Sequence, residues 1–429
     1  MKKAICFVLV LSAAGSLLAT DTPRRLTLQQ AQQIALTQHP RISVANLAAL
    51  AARQATKEVQ SAFLPDIYGS ATAVDTADPN NTRIAAGALN NPLIYEREAD
   101  GVTISQLITD FGRTSELSQS AKLRTRAQEM NLEATREQIL LEVNNAYFSS
   151  LAAQSVLEVA EDTAKSRQLV LQQITTLATN KLKSDLDVSF ASVDFDQANI
   201  LVAKARNDLK ASFAVLSALL ADREPQTFLL TDEPMPANIT NDVSALIFEA
   251  LGQRPDLARL RYQSNAAKEF AKAEGKLVYP TLSAIGTAGV IPTGNSHLGP
   301  DYAAAGVNLN LPLYSGGLYT ARRREAQFQA KAAEETLRDE EDNVIRDVQI
   351  TELNLEYSHQ RLALTRQLLQ NANEAFELAQ ARFKSGISSI IELSQAELNQ
   401  TSAQIAETDA RYDYQIQHSA LDFQLGRLR

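Results

Sequence analysis

The sequence predicts a mainly α-helical protein with a small β component, and it predicts that one structural unit occurs twice. The duplication is visible in two pairs of prolines: Pro40 and Pro65 are 25 residues apart, and so are Pro255 and Pro280. Apolar residues that recur every seven positions favour long helices in both halves, whereas alternating apolar residues favour short strands. Because the repeated unit spans about 200 residues, it is much longer than a solenoid repeat. We therefore expect two structurally equivalent halves that share one assembly.

The N-terminus has the pattern of a secretory signal peptide, which we expect at residues 1–19. Lys2 and Lys3 supply the charged start, an apolar stretch follows, and Ala19 is a suitable small residue before a cleavage site. The apolar stretch is too short for a membrane-spanning helix. The only cysteine, Cys6, lies inside this segment. We therefore expect no disulfide and no Cys-based metal site in the mature chain.

The composition narrows the class of protein. The net charge of −9 makes nucleic acid a poor candidate partner, because nucleic-acid binding depends on basic residues that neutralise phosphates. After the signal segment the chain has no run of about 18 apolar residues, so no transmembrane helix is predicted. Abundant Ala, Leu, Gln, Glu and Arg, with no Trp, are typical of long helices and coiled coils.

Both repeats are predicted to contain the same elements in the same order. The expected segments are a first repeat at 20–222, a linker at 223–240 and a second repeat at 241–429. In each repeat a short helix is followed by a second helix that starts at Pro40 or Pro255, where proline is well tolerated. Pro65 and Pro280 then end this helix, because the residue before a proline is driven toward extended geometry.

A β-hairpin is predicted in each repeat, at 66–108 and at 281–312. In the second hairpin Val307 and Leu309 alternate with polar residues such as Asn308. Alternation of this kind is typical of strands with one apolar and one polar face. The loops between the paired strands are expected at 75–100 and 292–301.

Long helices are predicted after Gly112 and Gly317. From these two glycines onward, each residue of the first repeat matches the residue 205 positions later in the second repeat. They are expected at 113–220 and 318–428, with breaks near 180–184 and 384–389. The segment Leu318–Lys384 contains neither Pro nor Gly. Apolar residues recur every seven positions along it, which indicates coiled-coil-like packing: Val348, Leu355, Leu362, Leu369, Phe376 and Phe383. At 1.5 Å per residue, such a helix is roughly 100 Å long.

The predicted strands require an assembly of several copies. Four strands leave two open edges, and open edges are excluded in a membrane because nothing pairs their backbone groups. Three copies supply twelve strands, an even number within the range of closed outer-membrane barrels. Helices of this length likewise need neighbours to bury a core. An assembly of three copies would be a trimeric twelve-stranded β-barrel continued by a long α-helical barrel, which is the architecture of a conduit.

Several motifs of the chain resemble those of the TolC-like outer membrane efflux protein family. The resemblance lies in the paired "HP" and "RP" helix starts, the "LITDFGR" and "LPLYSGGLY" strand exits, the "KSGISSIIELSQAEL" turn with its counterpart "KSDLDVSFASVDF", and the "LLAD" and "FQLG" ends. It covers nearly all of the predicted mature chain. It implies a homotrimer in the outer membrane of a Gram-negative-type bacterium, with a large periplasmic part. It also implies docking onto a periplasmic membrane-fusion (adaptor) protein and an inner-membrane pump of RND, ABC or MFS type.

The resemblance also implies a gate. In this family acidic residues near the periplasmic helix turns line a constricted entrance, and by motif alignment these positions are Asp187 and Glu392. Gln395 stands where the best-studied members have a second acid, and Ser388 and Ser389 occupy the stretch where a basic partner is expected. The resemblance therefore implies a weaker or differently wired gate. In the alternative interpretation, the two acids only stabilise the starts of their helices.

Five further positions are interpreted as structural. Gly112, Gly317 and Gly386 are expected to supply tight backbone turns, and Pro65 and Pro280 to end helices.

We expect no enzyme activity, cofactor or metal. The four histidines (39, 297, 359 and 418) share no ligand spacing, and the chain lacks a nucleophile elbow, a phosphate-binding loop and a zinc-binding H-E-x-x-H motif. The competing hypothesis is a soluble periplasmic coiled-coil adaptor or structural protein. That hypothesis explains the long helices, but it does not explain a pair of alternating strands in each repeat.

Overall fold

The computed structural model describes residues 24–74, 97–223, 226–237, 242–291 and 300–428. The predicted signal peptide and most of both predicted inter-strand loops lie outside these residues. Within the described part, helices dominate and strands are few. The predicted fold class, mainly α with a small β component, is confirmed.

Eight α-helices occur in the described part, and the two longest have 67 residues each. Their bounds are α1 Leu28–Gln38, α2 Pro40–Ser61, α3 Arg113–Thr179, α4 Asp185–Leu219, α5 Val243–Gln253, α6 Pro255–Gly275, α7 Leu318–Lys384 and α8 Ile390–Gln424. Proline occupies the first position of α2 and of α6, where its missing N–H is no loss. The imidazole of His39 also caps α2, because Nδ1 accepts the backbone N–H of Arg41 at 3.2 Å.

The seven-residue pattern of α7 coincides with its buried side. Val348, Leu355 and Leu362 are each less than 5% exposed. A second row of mostly small side chains is buried beside them: Val344, Thr351, Ser358, Ala372 and Ala379. Small side chains in one row let neighbouring helices approach closely, as in coiled coils. None of the helices in the described ranges combines the length and the hydropathy needed to cross a membrane.

Six strands are found in the described residues. Their bounds are β1 Arg24–Leu26, β2 Asp66–Val74, β3 Arg97–Thr109, β4 Phe228–Leu230, β5 Thr281–Val290 and β6 Asp301–Asn310. Four of them form an antiparallel sheet in the order β2-β3-β5-β6. Because β3 begins at Arg97, the prediction of a loop at 75–100 is wrong in its last four residues.

The four-stranded sheet has one apolar and one polar face. On the apolar face Leu309 pairs with Leu282, and Ile104 pairs with Ile67. The polar face carries hydroxyl and amide side chains at neighbouring positions: Thr103, Thr287, Ser283 and Asn308. Leu309 remains 62% exposed in the single chain. The sheet therefore presents an uncovered apolar surface.

Two short strands that the sequence analysis did not predict form a separate parallel pair. Leu26 of β1 lies beside Leu230 of β4, which falls within the predicted linker at 223–240. The buried hydroxyl group of Tyr147 lies 3.0 Å from the carbonyl oxygen of Leu26 and 2.7 Å from that of Thr231. Burial raises the pKa of Tyr147 to about 12, so the hydroxyl stays protonated. Strands of three residues are too short for alternation to reveal them.

The chain divides into two compact units. The first takes its described residues from Met1–Gln33, Asn145–Met235 and Thr365–Tyr412, and the second takes them from Ile34–Asn144, Pro236–Leu364 and Asp413–Arg429. The first unit contains the β1–β4 pair and the turns between the long helices. The second unit contains the four-stranded sheet.

Candidate functional site

The candidate site lies in the first unit. It consists of the turn between α3 and α4 and the turn between α7 and α8. Both turns contain the same backbone hydrogen bond. The N–H of Leu182 donates to the carbonyl of Leu177 at 2.9 Å, and the N–H of Ile387 donates to that of Arg382 at 3.0 Å. A bond of this type closes the end of a helix when the intervening residue is left-handed. The two repeats therefore use one turn design.

The left-handed residue differs between the two turns. Gly386 has φ 72°, which glycine adopts without steric cost, whereas its counterpart Lys181 has φ 61°. A side chain in this conformation costs about 1–2 kcal/mol, so the first turn is strained where the second is not. Gly112 and Gly317 also have positive φ angles, of 87° and 84°, just before α3 and α7. Pro65 and Pro280 directly precede β2 and β5.

Asp187 caps the helix to which it belongs. Its Oδ2 atom accepts the backbone N–H of Ser184 at 3.0 Å and the Ser184 hydroxyl at 2.8 Å. In return, the Ser184 hydroxyl oxygen accepts the Asp187 N–H at 3.2 Å, which completes a capping box at the start of α4. The backbone N–H and then the hydroxyl of Ser184 hold the pKa of the Asp187 carboxyl below its ordinary value. Asp187 is therefore ionised at neutral pH.

Glu392 occupies the equivalent position in α8 but has a different partner. The Ser389 hydroxyl oxygen accepts the Glu392 N–H at 3.3 Å, as Ser184 does for Asp187. The Glu392 carboxylate turns instead to Arg382, with Nε and Oε1 3.0 Å apart. The sequence analysis looked for a basic partner inside the turn and missed Arg382, which lies in the last turn of α7.

The helix ends that carry the two acids pack on one apolar cluster. Ile174 of α3, Ala191 of α4 and Ile390 of α8 are fully or almost fully buried in it. Partly buried side chains surround them: Val170, Leu171, Val188 and Phe383. The ammonium group of Lys183, in the turn before α4, lies 5.0 Å from the centre of the Phe383 ring at the end of α7, a cation–π contact. The structure thus brings the predicted gate residues to one end of a helix bundle, and each carboxylate has its own partner.

A buried ion pair near this end was also missed by the sequence analysis. Arg167 of α3 and Glu397 of α8 are each less than 10% exposed, with Nε and Oε2 3.7 Å apart. Arg167 also donates to the carbonyl oxygen of Asp194 at 2.8 Å. Burial raises the pKa of the Glu397 carboxyl, although a Ser166 hydrogen bond and the Arg167 charge oppose the shift. Arg167 lies seven positions from both Ala160 and Ile174, in a buried heptad row. A charged residue in such a row was the sequence signal that could have revealed the ion pair.

These features define a class of protein. A sheet with an uncovered apolar face, joined to paired 67-residue helices with acidic turns, is the organisation of helix-rich outer membrane channels. The family model described as "Outer membrane efflux protein" matches residues 31–222 and 246–427. The chain belongs to the outer membrane efflux protein family.

Individual relatives agree with this membership. The chain is 23% identical over 440 residues to outer membrane protein TolC of Salmonella enteritidis, covering 100% of this chain and 87% of that protein. It is 29% identical over 332 residues to outer membrane protein TolC of Vibrio cholerae, covering 74% of this chain and 75% of that one. A crystal structure of a membrane protein from Pseudomonas aeruginosa superposes with a TM-score of 0.80 at 21% identity, covering 93% of each chain. The predicted family, fold, outer membrane location and export-channel function are confirmed.

Proposed function

We propose that three copies of this chain form a passive export conduit through the outer membrane and the periplasm. The conduit is the outer membrane channel of a tripartite efflux or type I secretion system. The two predicted repeats, 20–222 and 241–429, occupy equivalent positions around the channel. A sheet of four strands with one uncovered apolar face is the observation that carries this proposal.

The sheet meets the requirements of a membrane-facing wall. Val307 and Leu309 are 67% and 62% exposed, which suits contact with lipid. Thr103, Thr287 and Asn308 lie on the opposite face, which suits a water-filled lumen. Within the described residues, β2 and β6 are the edges of the sheet, and only further copies of the chain close it into a barrel of twelve strands.

The acidic helix starts form the entrance of the proposed channel. In a threefold assembly Asp187 and Glu392 each become a ring of three carboxylates. Rings of one sign of charge in a narrow passage attract cations and disfavour anions. The Arg382–Glu392 pair reduces the net charge of the second ring, so Asp187 contributes more of the selectivity.

The channel works with partners on its periplasmic side. A periplasmic adaptor protein joins the helix ends to an inner-membrane pump of RND, ABC or MFS type, and the pump supplies the energy. Family membership supports this arrangement, since a passive conduit of this class needs a partner to drive export.

Detergent-extracted mature protein tests the proposal. Mass measurement is expected to give three chains, and reconstitution into planar bilayers is expected to give ion-conducting channels. Extraction without detergent, as a stable folded monomer with no conductance, would instead support the soluble adaptor hypothesis.

A further inference from the structure

One tyrosine side chain lies across the polar face of the four-stranded sheet. Tyr302 of β6 pairs with Gly289 of β5, which in turn pairs with Gly101 of β3. Because side chains alternate between the two faces of a strand, these three positions share the face that carries Thr103 and Thr287. The hydroxyl oxygens of the two threonines are 3.4 Å apart on that face. The tyrosine therefore lies on the face that lines the lumen of the proposed channel.

The two glycines leave the space that the tyrosine occupies. A Cβ atom on Gly289 would be 2.6 Å from the hydroxyl oxygen of Tyr302 and 2.7 Å from its Cζ atom. A Cβ atom on Gly101 would be 3.3 Å from the same Cζ atom and closer still to the hydroxyl oxygen. Carbon atoms in contact are about 3.5–4.0 Å apart, so the end of the ring fills volume that other residues on β5 and β3 would need. Neighbouring strands are about 4.8 Å apart, and the side chain thus reaches from β6 across β5 to β3.

Fit, rather than a hydrogen bond, places the ring. The Tyr302 hydroxyl makes no hydrogen bond to any residue in the described ranges. The ring instead covers the backbone of two glycines that have no side chains to pack, and an aromatic residue in this place stabilises a glycine-containing sheet. The side chain consequently lies along the wall of the sheet instead of projecting from it.

The corresponding positions of the first repeat lack the tyrosine. Strands β2 and β5 correspond at an offset of 215 residues, and β3 and β6 at an offset of 205. With these offsets the tyrosine–glycine pair corresponds to Arg97 and Val74, which also pair with each other. Gly101 corresponds to Gly306, where an added Cβ atom would meet no neighbouring side chain or strand of the described residues within 4 Å. Within the described sheet the arrangement occurs once, so three copies of the chain carry three such tyrosines.

We propose that Gly101 and Gly289 form a recess that holds Tyr302 against the lumen wall, and that this recess keeps the outer end of the conduit open. The inference rests on the proposed function, because it assigns a role inside the proposed lumen. Tyr302 is the second residue of β6, at the end of the strand remote from α7, which is the outer end. Tyr302 is then a lumen-lining residue, and the two glycines are positioning residues.

The size of the proposed barrel explains why the position of the ring matters. Twelve strands about 4.8 Å apart and tilted by about 40° close into a barrel roughly 24 Å wide between backbones. Inward-pointing side chains on all sides reduce this width, and the width that remains decides what can pass. Three tyrosines that project from the wall at one level would narrow the lumen, whereas three that lie along the wall leave it open.

Labelling of a cysteine placed deeper in the lumen tests the role of the recess. Asn308→Cys lies on the same face as Tyr302, six residues nearer to α7, and the only native cysteine lies in the predicted signal peptide. Intact cells are treated with membrane-impermeant maleimides that carry polyethylene glycol chains of increasing size. With Gly101→Ala also present, the large reagents should react about fivefold more slowly, because the added methyl group displaces the ring into the lumen. The smallest reagent should react at an unchanged rate.

Three controls separate a displaced ring from a damaged sheet. Gly306→Ala adds the same methyl group at the equivalent glycine, where it meets nothing, and should leave all rates unchanged. Adding Tyr302→Ala to Gly101→Ala should restore the rates of the large reagents, because no ring is left to displace. Tyr302→Phe should leave all rates unchanged, because the ring is placed by its fit and not by its hydroxyl.

A tyrosine introduced where there is no recess gives a second test that leaves both glycines in place. Ala304 is an exposed residue on the same face, and it pairs with Thr287, which pairs with Thr103. Ala304→Tyr therefore has side chains instead of glycines beside it and should project into the lumen. It should slow the large reagents as Gly101→Ala does.

The trimer fraction of each variant and the mass of the unsubstituted protein are measured in parallel. Trimers in which neither Gly101→Ala nor Ala304→Tyr slows the large reagents would overturn the inference and leave the trimeric conduit intact. Slow labelling that persists after Tyr302→Ala, or an outer end that large reagents never pass in the parent Asn308→Cys protein, would also overturn it. A monomeric mass would instead overturn the proposed function.

Discussion

Arg382 and Glu392 bridge the turn between α7 and α8, with Nε and Oε1 3.0 Å apart. The two side chains are 54% and 45% exposed, so the pair contributes only about 0–1 kcal/mol to stability. Its effect is to orient the carboxylate and to offset its charge. In the first repeat Leu177 stands in place of Arg382, and Asp187 caps its own helix. Equivalent acids thus have different partners in the two repeats.

The first prediction concerns ion selectivity. Replacing both acids with amides (Asp187→Asn with Glu392→Gln) should reduce the preference for cations in bilayer recordings and weaken block by multivalent cations, because the two proposed carboxylate rings would lose their charge. The control is Ser184→Ala with Ser389→Ala, which removes the helix caps but leaves the carboxylates charged. Assembled trimers with unchanged selectivity and block would remove Asp187 and Glu392 from the entrance and leave them as helix-capping residues.

The second prediction concerns the two faces of the sheet. Leu309→Arg should impair assembly far more than Asn308→Arg does. A charge on the lipid-facing side near mid-membrane costs about 2–4 kcal/mol, while changes on the lumen side are tolerated. The amount of heat-resistant trimer in outer membrane fractions measures the effect. Equal assembly of the two variants would contradict the assignment of faces.

The third prediction concerns the capping box at the start of α4. Ser184→Ala should lower the free energy of unfolding by about 1 kcal/mol, since a lost N-cap leaves backbone N–H groups unpaired. The control is Ser189→Ala, whose hydroxyl only bonds back to the carbonyl of Asp185 and should matter little. Chemical denaturation in detergent measures both variants at neutral pH.

The pH dependence of the same capping box follows from the lowered pKa of Asp187. A carboxyl whose pKa is lowered by folding stabilises the folded state when the pH is above its unfolded pKa, which is 3.8 for Asp187. This contribution is lost as the pH falls through the folded pKa. The difference between wild type and Ser184→Ala should therefore shrink below about pH 4. A difference that grows in acid would contradict the capping geometry.

The fourth prediction concerns the buried pair of Arg167 and Glu397. Glu397→Leu should destabilise the protein by about 3–5 kcal/mol, because it leaves a buried guanidinium without its counter-charge. Adding Arg167→Met should recover most of the loss. The control pair, Arg206–Glu161, is 57% and 42% exposed, so Glu161→Gln should cost less than about 1 kcal/mol.

The direction of the Glu397 pH effect is opposite to that of Asp187. Burial raises the folded pKa of Glu397, so the protonated carboxyl favours the folded state. This contribution to stability is fully present when the pH is below the ordinary pKa of 4.5, and it is lost as the pH rises through the folded pKa. Relative to the double variant Arg167→Met with Glu397→Leu, wild type should gain stability as the pH is lowered toward 4.5. A wild type that gains stability as the pH rises would show that the pair is held fully charged.

Much of the fold could be predicted because its signals are local and repeated. The bounds of α7, Leu318–Lys384, follow from a proline- and glycine-free heptad pattern, and those of β5, Thr281–Val290, follow from alternation. The strands β1 and β4 could not be predicted in this way, because three residues carry no periodicity and the pairing joins distant parts of the chain.

The amino-acid sequence by itself determined the duplicated unit, the long helices and the two faces of the hairpins, because periodicity decides which side chains share a face. It also brought Asp187 and Glu392 to equivalent helix starts. Only the tertiary structure decided their partners. Arg382 reaches Glu392 across the turn between α7 and α8, and Arg167 of the first repeat meets Glu397 of the second in the core. Which charges pair depends on how the helices pack, and no local pattern records that packing.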